Sequence, residues 1–148
     1  LKPNHKIPAL PNSVKLVDEL AKKYQIVYVT ARDDVFKQKT FDWLKQKKFP
    51  VGPTYFWDSN SDDLPRDHGE YKALVIKRMM LEVPNIVFAA GDKPHDVWAY
   101  RENGIRSYYI GEQDEEIVPL AIRVTSWDQI MEHFSTYPIG TVEGDPIF

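Results

Sequence analysis

Two aspartates four residues apart, Asp92 and Asp96 in the stretch GDKPHD, stand out as the side chains best placed to do chemistry in this 148-residue chain. The apolar run from Ile86 to Ala90 breaks at Gly91, and the periodic apolar positions Val97 and Tyr100 then begin a helix that Gly104 can close. A buried strand thus delivers both carboxylates to the start of a helix. Ligands bind at the carboxyl ends of strands in open α/β sheets, because loops and backbone amides converge there. Hard cations such as Mg²⁺ take oxygen ligands, so Asp92 and Asp96 can share a cation or its waters. The plainer alternative has Asp92 ending the strand and Asp96 capping the helix.

Two further features suit a phosphate. Thr30, with Ala31 and Arg32, follows the apolar run IVYVT, and Lys72 opens a helix. A threonine hydroxyl and neighbouring amides can donate to phosphoryl oxygens, and a lysine supplies positive charge. Each residue also has an ordinary role, Thr30 as a turn or cap residue and Lys72 as a solvated charge. The ordered combination of hydroxyl, ammonium and paired acids is what points to phosphate, whose chemistry depends on positioning and charge neutralisation.

The elements that must position these groups are legible in the apolar pattern. Val14, Leu16, Val17, Leu20 and Ala21 mark a helix face, residues 26–30 a strand, and 34–48 a helix stopped at Phe49 and Pro50. Residues 54–57 predict a strand, 58–70 a polar loop, 71–81 a helix, 86–90 and 107–110 strands. Ser126 and Gln129 form a capping box for a last helix containing Ile130, Met131 and Phe134. The tail, 135–148, contains Pro and Gly and is expected to pack loosely. Short, continuously apolar strands alternating with helices predict a parallel sheet covered on both faces.

Bulk properties narrow the classes. The length suits one domain. A net charge of -3 and a pI near 5.8 argue against stable binding of long nucleic acid. The absence of Cys excludes disulfides and thiolate catalysis. No apolar stretch is long enough for a membrane span, and the first residues lack a signal-peptide layout, so a soluble domain is expected, with the cytoplasm weakly favoured. The loop DSNSDDLPRDHGE mismatches a calcium loop at its sixth and twelfth positions, Asp63 and Gly69. His5, His68, His95 and His133 show no metal-ligand spacing.

VYVTAR (27–32), the lysine of EYKALVIKRM and GDKPHD (91–96) fall in the order of three motifs of the haloacid dehalogenase (HAD) superfamily, which the chain resembles from about Val14 to Phe134. The phrase KKFPVGPTYFWD (47–58) is similar to lipin-type and actin-patch-type phosphatidate phosphatases and to the related domain of phosphatidylinositol-transfer proteins. The resemblance implies a three-layer, Rossmann-like α/β sandwich with a mainly parallel sheet and no cap domain. It implies an Mg²⁺-dependent phosphatase acting through an aspartyl-phosphate, with Thr30, Ala31, Arg32 and Lys72 binding phosphate, Thr30 and Lys72 serving catalysis, and Asp92 and Asp96 holding metal. A capless, open site suits a lipid phosphate or another large substrate presented at a membrane surface; core packing is the favoured role for most of the aromatic side chains Tyr55, Trp57 and Trp98, and contact with that surface the alternative.

The superfamily's first motif, Asp-x-Asp on a central strand, is absent, since residues 1–11 contain no Asp and no credible strand. By the resemblance that strand lies between the one ending at Thr30 and the one ending at Ala90, so the expectation is a single domain over 1–148 lacking its nucleophile-bearing strand. The alternatives are a non-catalytic phosphate- or phospholipid-binding domain on the same scaffold and a nucleic-acid 3′-end phosphatase.

Overall fold

The computed structural model describes residues 13–33, 37–57, 67–110 and 118–147, with the backbone alone at 31–33 and 57. The chain divides into two compact units, Leu1–Asp62 and Asp63–Phe148. The described residues form five helices and five strands, and every strand pair is parallel, as the alternating pattern predicts for a Rossmann-like α/β fold.

In the first unit, α1 (Ser13–Ala21) buries Ser13, Leu16 and Leu20, the three- and four-residue spacing of one helix face. Strands β1 (Tyr28–Asp33) and β2 (Thr54–Trp57) form a two-stranded sheet, with α2 (Lys37–Gln46) as the crossover. Aromatic contacts fasten α2 down: Phe41 meets Phe56 edge-on at 5.5 Å, and Trp43 stacks on Phe49 at 5.5 Å. The Tyr28 hydroxyl donates to the Pro50 carbonyl at 2.6 Å, and burial, reinforced by the negative charge of Asp18, pushes that phenol up to about 12. Between Thr30 and Lys72 the described residues hold α2, β2 and the start of α3 (His68–Glu82).

In the second unit, α3 (His68–Glu82), β3 (Phe88–Gly91), α4 (Pro94–Glu102), β4 (Arg106–Ile110), β5 (Ile122–Val124) and α5 (Trp127–Thr136) build a three-stranded sheet in the order β3-β4-β5. Val97, Ala99 and Tyr100 of α4 are buried, as are Tyr108 and Ile110 of β4, and α3, which buries Tyr71, Val75 and Ile76, packs on α4. Two helix starts lie earlier than the apolar period suggests. Asp67 accepts from the Glu70 amide at 2.9 Å and begins α3 at His68 rather than Tyr71; Pro94, pre-set at the first helical position, begins α4. Gly104, at φ 69°, closes α4 in the left-handed turn expected of it. Ser126 caps α5 as predicted, accepting from the Gln129 amide at 3.4 Å while Gln129 Oε1 accepts from the Thr125 amide at 2.8 Å.

Residues 137–147, expected to pack loosely, are fastened to β4 by a buried arginine. Arg106 donates through Nε and a terminal nitrogen to the Asp145 carboxylate at 2.8 and 2.7 Å, and to the carbonyls of Tyr137 and Pro138 at 2.6 and 3.0 Å. Asp145 also accepts from the amides of Gly140 and Val142. Burial alone would raise the Asp145 carboxyl, but the Arg106 bond and the two amides outweigh it and hold the group at about 2, below its ordinary 3.8. Such a depressed carboxyl stabilises the fold above its unfolded pKa, and that contribution disappears as pH falls through about 2. Asp145→Asn is therefore expected to cost about 3–5 kcal/mol at neutral pH by leaving a buried guanidinium uncompensated. Urea unfolding between neutral and acid pH should show the variant with a flatter acid loss than the parent chain; parallel profiles would count against this account.

Candidate functional site

The carboxyl end of β3 brings one predicted pair of residues into direct contact. Lys72, from the first turns of α3, donates from Nζ to Oδ1 of Asp96 in α4, and the two residues are 7 % and 5 % exposed. Local sequence dictates this placement. Gly91 ends β3, and a Cβ there would stand 2.5 Å from Asp96 Cβ, so the missing side chain makes the space that Asp96 fills. Asp96 lies in the first turn of α4, where the helix dipole favours a carboxylate. Gly69 does the same for the helix pair: a Cβ there would meet Trp98 Cε3 at 3.2 Å and His95 Cβ at 3.4 Å.

Around the pair, His95 Nε2 is 3.4 Å from Asp96 Oδ1, and the His68 and His95 rings meet edge-on at 5.7 Å. The Tyr100 hydroxyl donates to the Ala90 carbonyl at 3.1 Å, and burial, then the charges of Asp96 and Asp92, push its pKa well above that of an ordinary phenol. Asn103 Nδ2 donates to the Ala73 and Ala99 carbonyls, both at 3.0 Å, locking α4 to α3 below the pair. The amino end of α4 differs from those of α3 and α5. Its N-cap is Lys93, which makes no side-chain cap bond, whereas Asp67 and Ser126 supply acceptor oxygens to theirs.

Buried charges must be paired and hydrogen-bonded to offset their desolvation. An ammonium has three N–H groups, and among the described residues Asp96 accepts the one bond that Lys72 makes, which leaves donors for an incoming anion. Asp92 is exposed, unlike Asp96, so the two acids differ in environment. Asp96 Oδ1 is taken by Lys72, and among the described residues no group of three or more His, Asp or Glu side chains is placed to hold an ion.

Thr30 is half-buried on β1, in the first unit. Its ladder is irregular there. Val29 pairs with Tyr55 but Asp33 with Trp57, so Thr30, Ala31 and Arg32 occupy a bulge, a device that re-aims side chains beside sites. The side chains of Ala31 and Arg32 lie outside the described residues. Sequence reasoning missed the structural part of Tyr100, whose helical spacing marked it only as apolar, and the close approach at Gly69.

Fold and ion pair together define a Rossmann-like α/β domain with its charged groups at the ligand end of a parallel strand. The model of the LNS2 domain of PITM 1-3 matches residues 4–111, and the chain belongs to that family. It is 34 % identical over 82 residues to the mouse membrane-associated phosphatidylinositol transfer protein 3, covering 55 % of the chain and 8 % of that protein. It is 34 % identical over 91 residues to the rat membrane-associated phosphatidylinositol transfer protein 1, covering 60 % and 7 %, and 38 % identical over 77 residues to the human protein 2, covering 52 % and 5 %. The chain thus matches less than a tenth of the length of these relatives. No solved structure matches it.

These relationships correct the enzymatic expectation. Of the likenesses drawn from KKFPVGPTYFWD, the one to phosphatidylinositol-transfer proteins is the one the family match supports, and the relatives are named as transfer proteins, not phosphatases. The reading as an aspartyl-phosphate hydrolase is overturned on that ground. No helix among the described residues is long and apolar enough to cross a membrane.

If the ion pair organises this end of β3, Asp96→Asn should destabilise the protein by about 3–5 kcal/mol, because it strands a buried ammonium. Adding Lys72→Met to the same chain should recover more than half of that loss in a denaturant double-mutant cycle. Additive losses would mean that the two groups are not coupled.

Proposed function

We propose that the domain is a non-catalytic module that recognises the phosphate of a phospholipid headgroup at a membrane surface. The observation that carries this reading is the buried Lys72 ammonium, anchored on Asp96 with N–H groups to spare, beside a helix start that no side-chain acceptor closes. Amides at a helix amino end and a fixed ammonium are complementary to a phosphate monoester. Lys93, exposed at the α4 N-cap, adds a second cation within the same turn. Membership of the LNS2 family and relatives named for phosphatidylinositol transfer and membrane association support a lipid as the bearer of that phosphate.

In this reading Asp96 positions Lys72, and the domain binds a headgroup without attacking it. The test is flotation of the whole chain with phosphatidylcholine vesicles carrying either phosphatidate or phosphatidylserine at matched surface charge. Preference for phosphatidate, a loss of several-fold in affinity with Lys93→Ala, and no release of inorganic phosphate are expected. Equal binding to the two charge-matched vesicles would overturn the headgroup reading.

A further inference from the structure

In the first unit, the amino ends of β1 and β2 carry a basic edge that the headgroup site does not use. The turn 22–27 enters β1 and the turn 47–53 enters β2, and the two lie side by side. Tyr28 donates from its amide to the Pro53 carbonyl at 2.9 Å and from its hydroxyl to the Pro50 carbonyl at 2.6 Å, while a Cβ on Gly52 would stand 2.3 Å from the Ile26 carbonyl oxygen. Side chains described in the first unit include eight lysines against the three carboxylates Asp18, Glu19 and Asp42, although the whole chain is acidic. Five of those lysines, Lys22, Lys23, Lys45, Lys47 and Lys48, fall at this edge, with Lys22 paired to Glu19 at 3.3 Å.

Lysines do favour helix carboxyl ends for dipole reasons alone. Two details exceed that explanation. The turn after α2 closes with Lys48 N–H donating to the Lys45 carbonyl and Phe49 N–H to the Leu44 carbonyl, the bonding of a helix stop whose left-handed residue is usually Gly. Here that residue is Lys48 at φ 65°, a lysine held where its Cβ is strained. Beyond it Val51 is 99 % exposed, between Pro50 and the Gly52-Pro53 step, so an apolar tip projects from a segment stiffened by two prolines.

We propose that this edge docks on an anionic bilayer, the five lysines over the headgroup layer and Val51 entering the interface. The proposal builds on the functional reading above only in taking a lipid surface as the partner. Charge complementarity selects the occupant, since juxtamembrane lysines gain attraction from anionic leaflets while a rigid apolar tip gains from leaving water.

Binding of the whole chain to phosphatidylcholine vesicles with and without phosphatidylserine tests the edge separately, because phosphatidylserine offers charge without a phosphate monoester. Lys48→Gly should raise the thermal midpoint, since glycine relieves the strained turn, while lowering affinity for phosphatidylserine vesicles about fivefold. Val51→Asp should weaken binding at least as much. Lys77→Ala, the same charge change on the exposed face of α3, should leave affinity unaltered. Unchanged binding in Lys48→Gly and Val51→Asp, or an equal loss in Lys77→Ala, would overturn the proposal. Loss of phosphatidate preference with this charge-dependent binding intact would instead count against the headgroup site alone.

Discussion

The contact between Lys72 and Asp96 is the constraint around which the second unit is arranged. Two opposite charges leave water together only if the backbone beneath them is bare enough to admit both, and Gly91 provides that bareness. Once Asp96 sits over Gly91, the start of α4 is fixed against the end of β3, and the ammonium from α3 has one place to go. The bonds of Asn103 to Ala73 and Ala99 then set the spacing of the two helices one to two turns further along. A pair that is weak as a source of net stability is effective as a device for register, because every misplacement leaves a charge buried alone.

The same pair explains why the residue types of a phosphoryl-transfer site need not imply phosphoryl transfer. An ammonium held by a carboxylate can bind an anion as readily as it can serve a reaction, so the residue types alone do not choose between binding and catalysis. The proposed role keeps the cationic donors at the carboxyl end of β3 as binding groups, in a family whose matched relatives are named for phosphatidylinositol transfer.

Much of this was legible in the sequence. Strand-to-helix order, the parallel sheets, the Gly104 stop and the Ser126 cap all follow from local rules acting within a few residues. The elements that escaped obey longer-range causes. β5 is three residues, Ile122–Val124, too short for any period to register, and it exists because β4 offers it a free ladder edge. The fixed tail escaped for a related reason: Asp145 reads as one more surface acid until Arg106 is known to be buried beneath it. At the site, the order of Lys72 and Asp96 was readable, but their mutual neutralisation was not, since spacing along the chain carries no information about which opposite charge arrives first. Thr30 illustrates the limit differently, because the bulge that surrounds it is a property of the ladder with β2 and leaves no mark on its own segment.

The clamp on Arg106 has a dynamic corollary. β4 is the middle strand of its sheet, and the amides of Gly140 and Val142 share the carboxylate that neutralises its guanidinium. A surface tail ordinarily frays with little effect on what it covers, but here lifting it exposes an unpaired cation at the centre of the sheet. The amides of these two turn residues should therefore trade hydrogen for deuterium mainly when the whole unit opens, which makes this segment part of the unit's cooperative core.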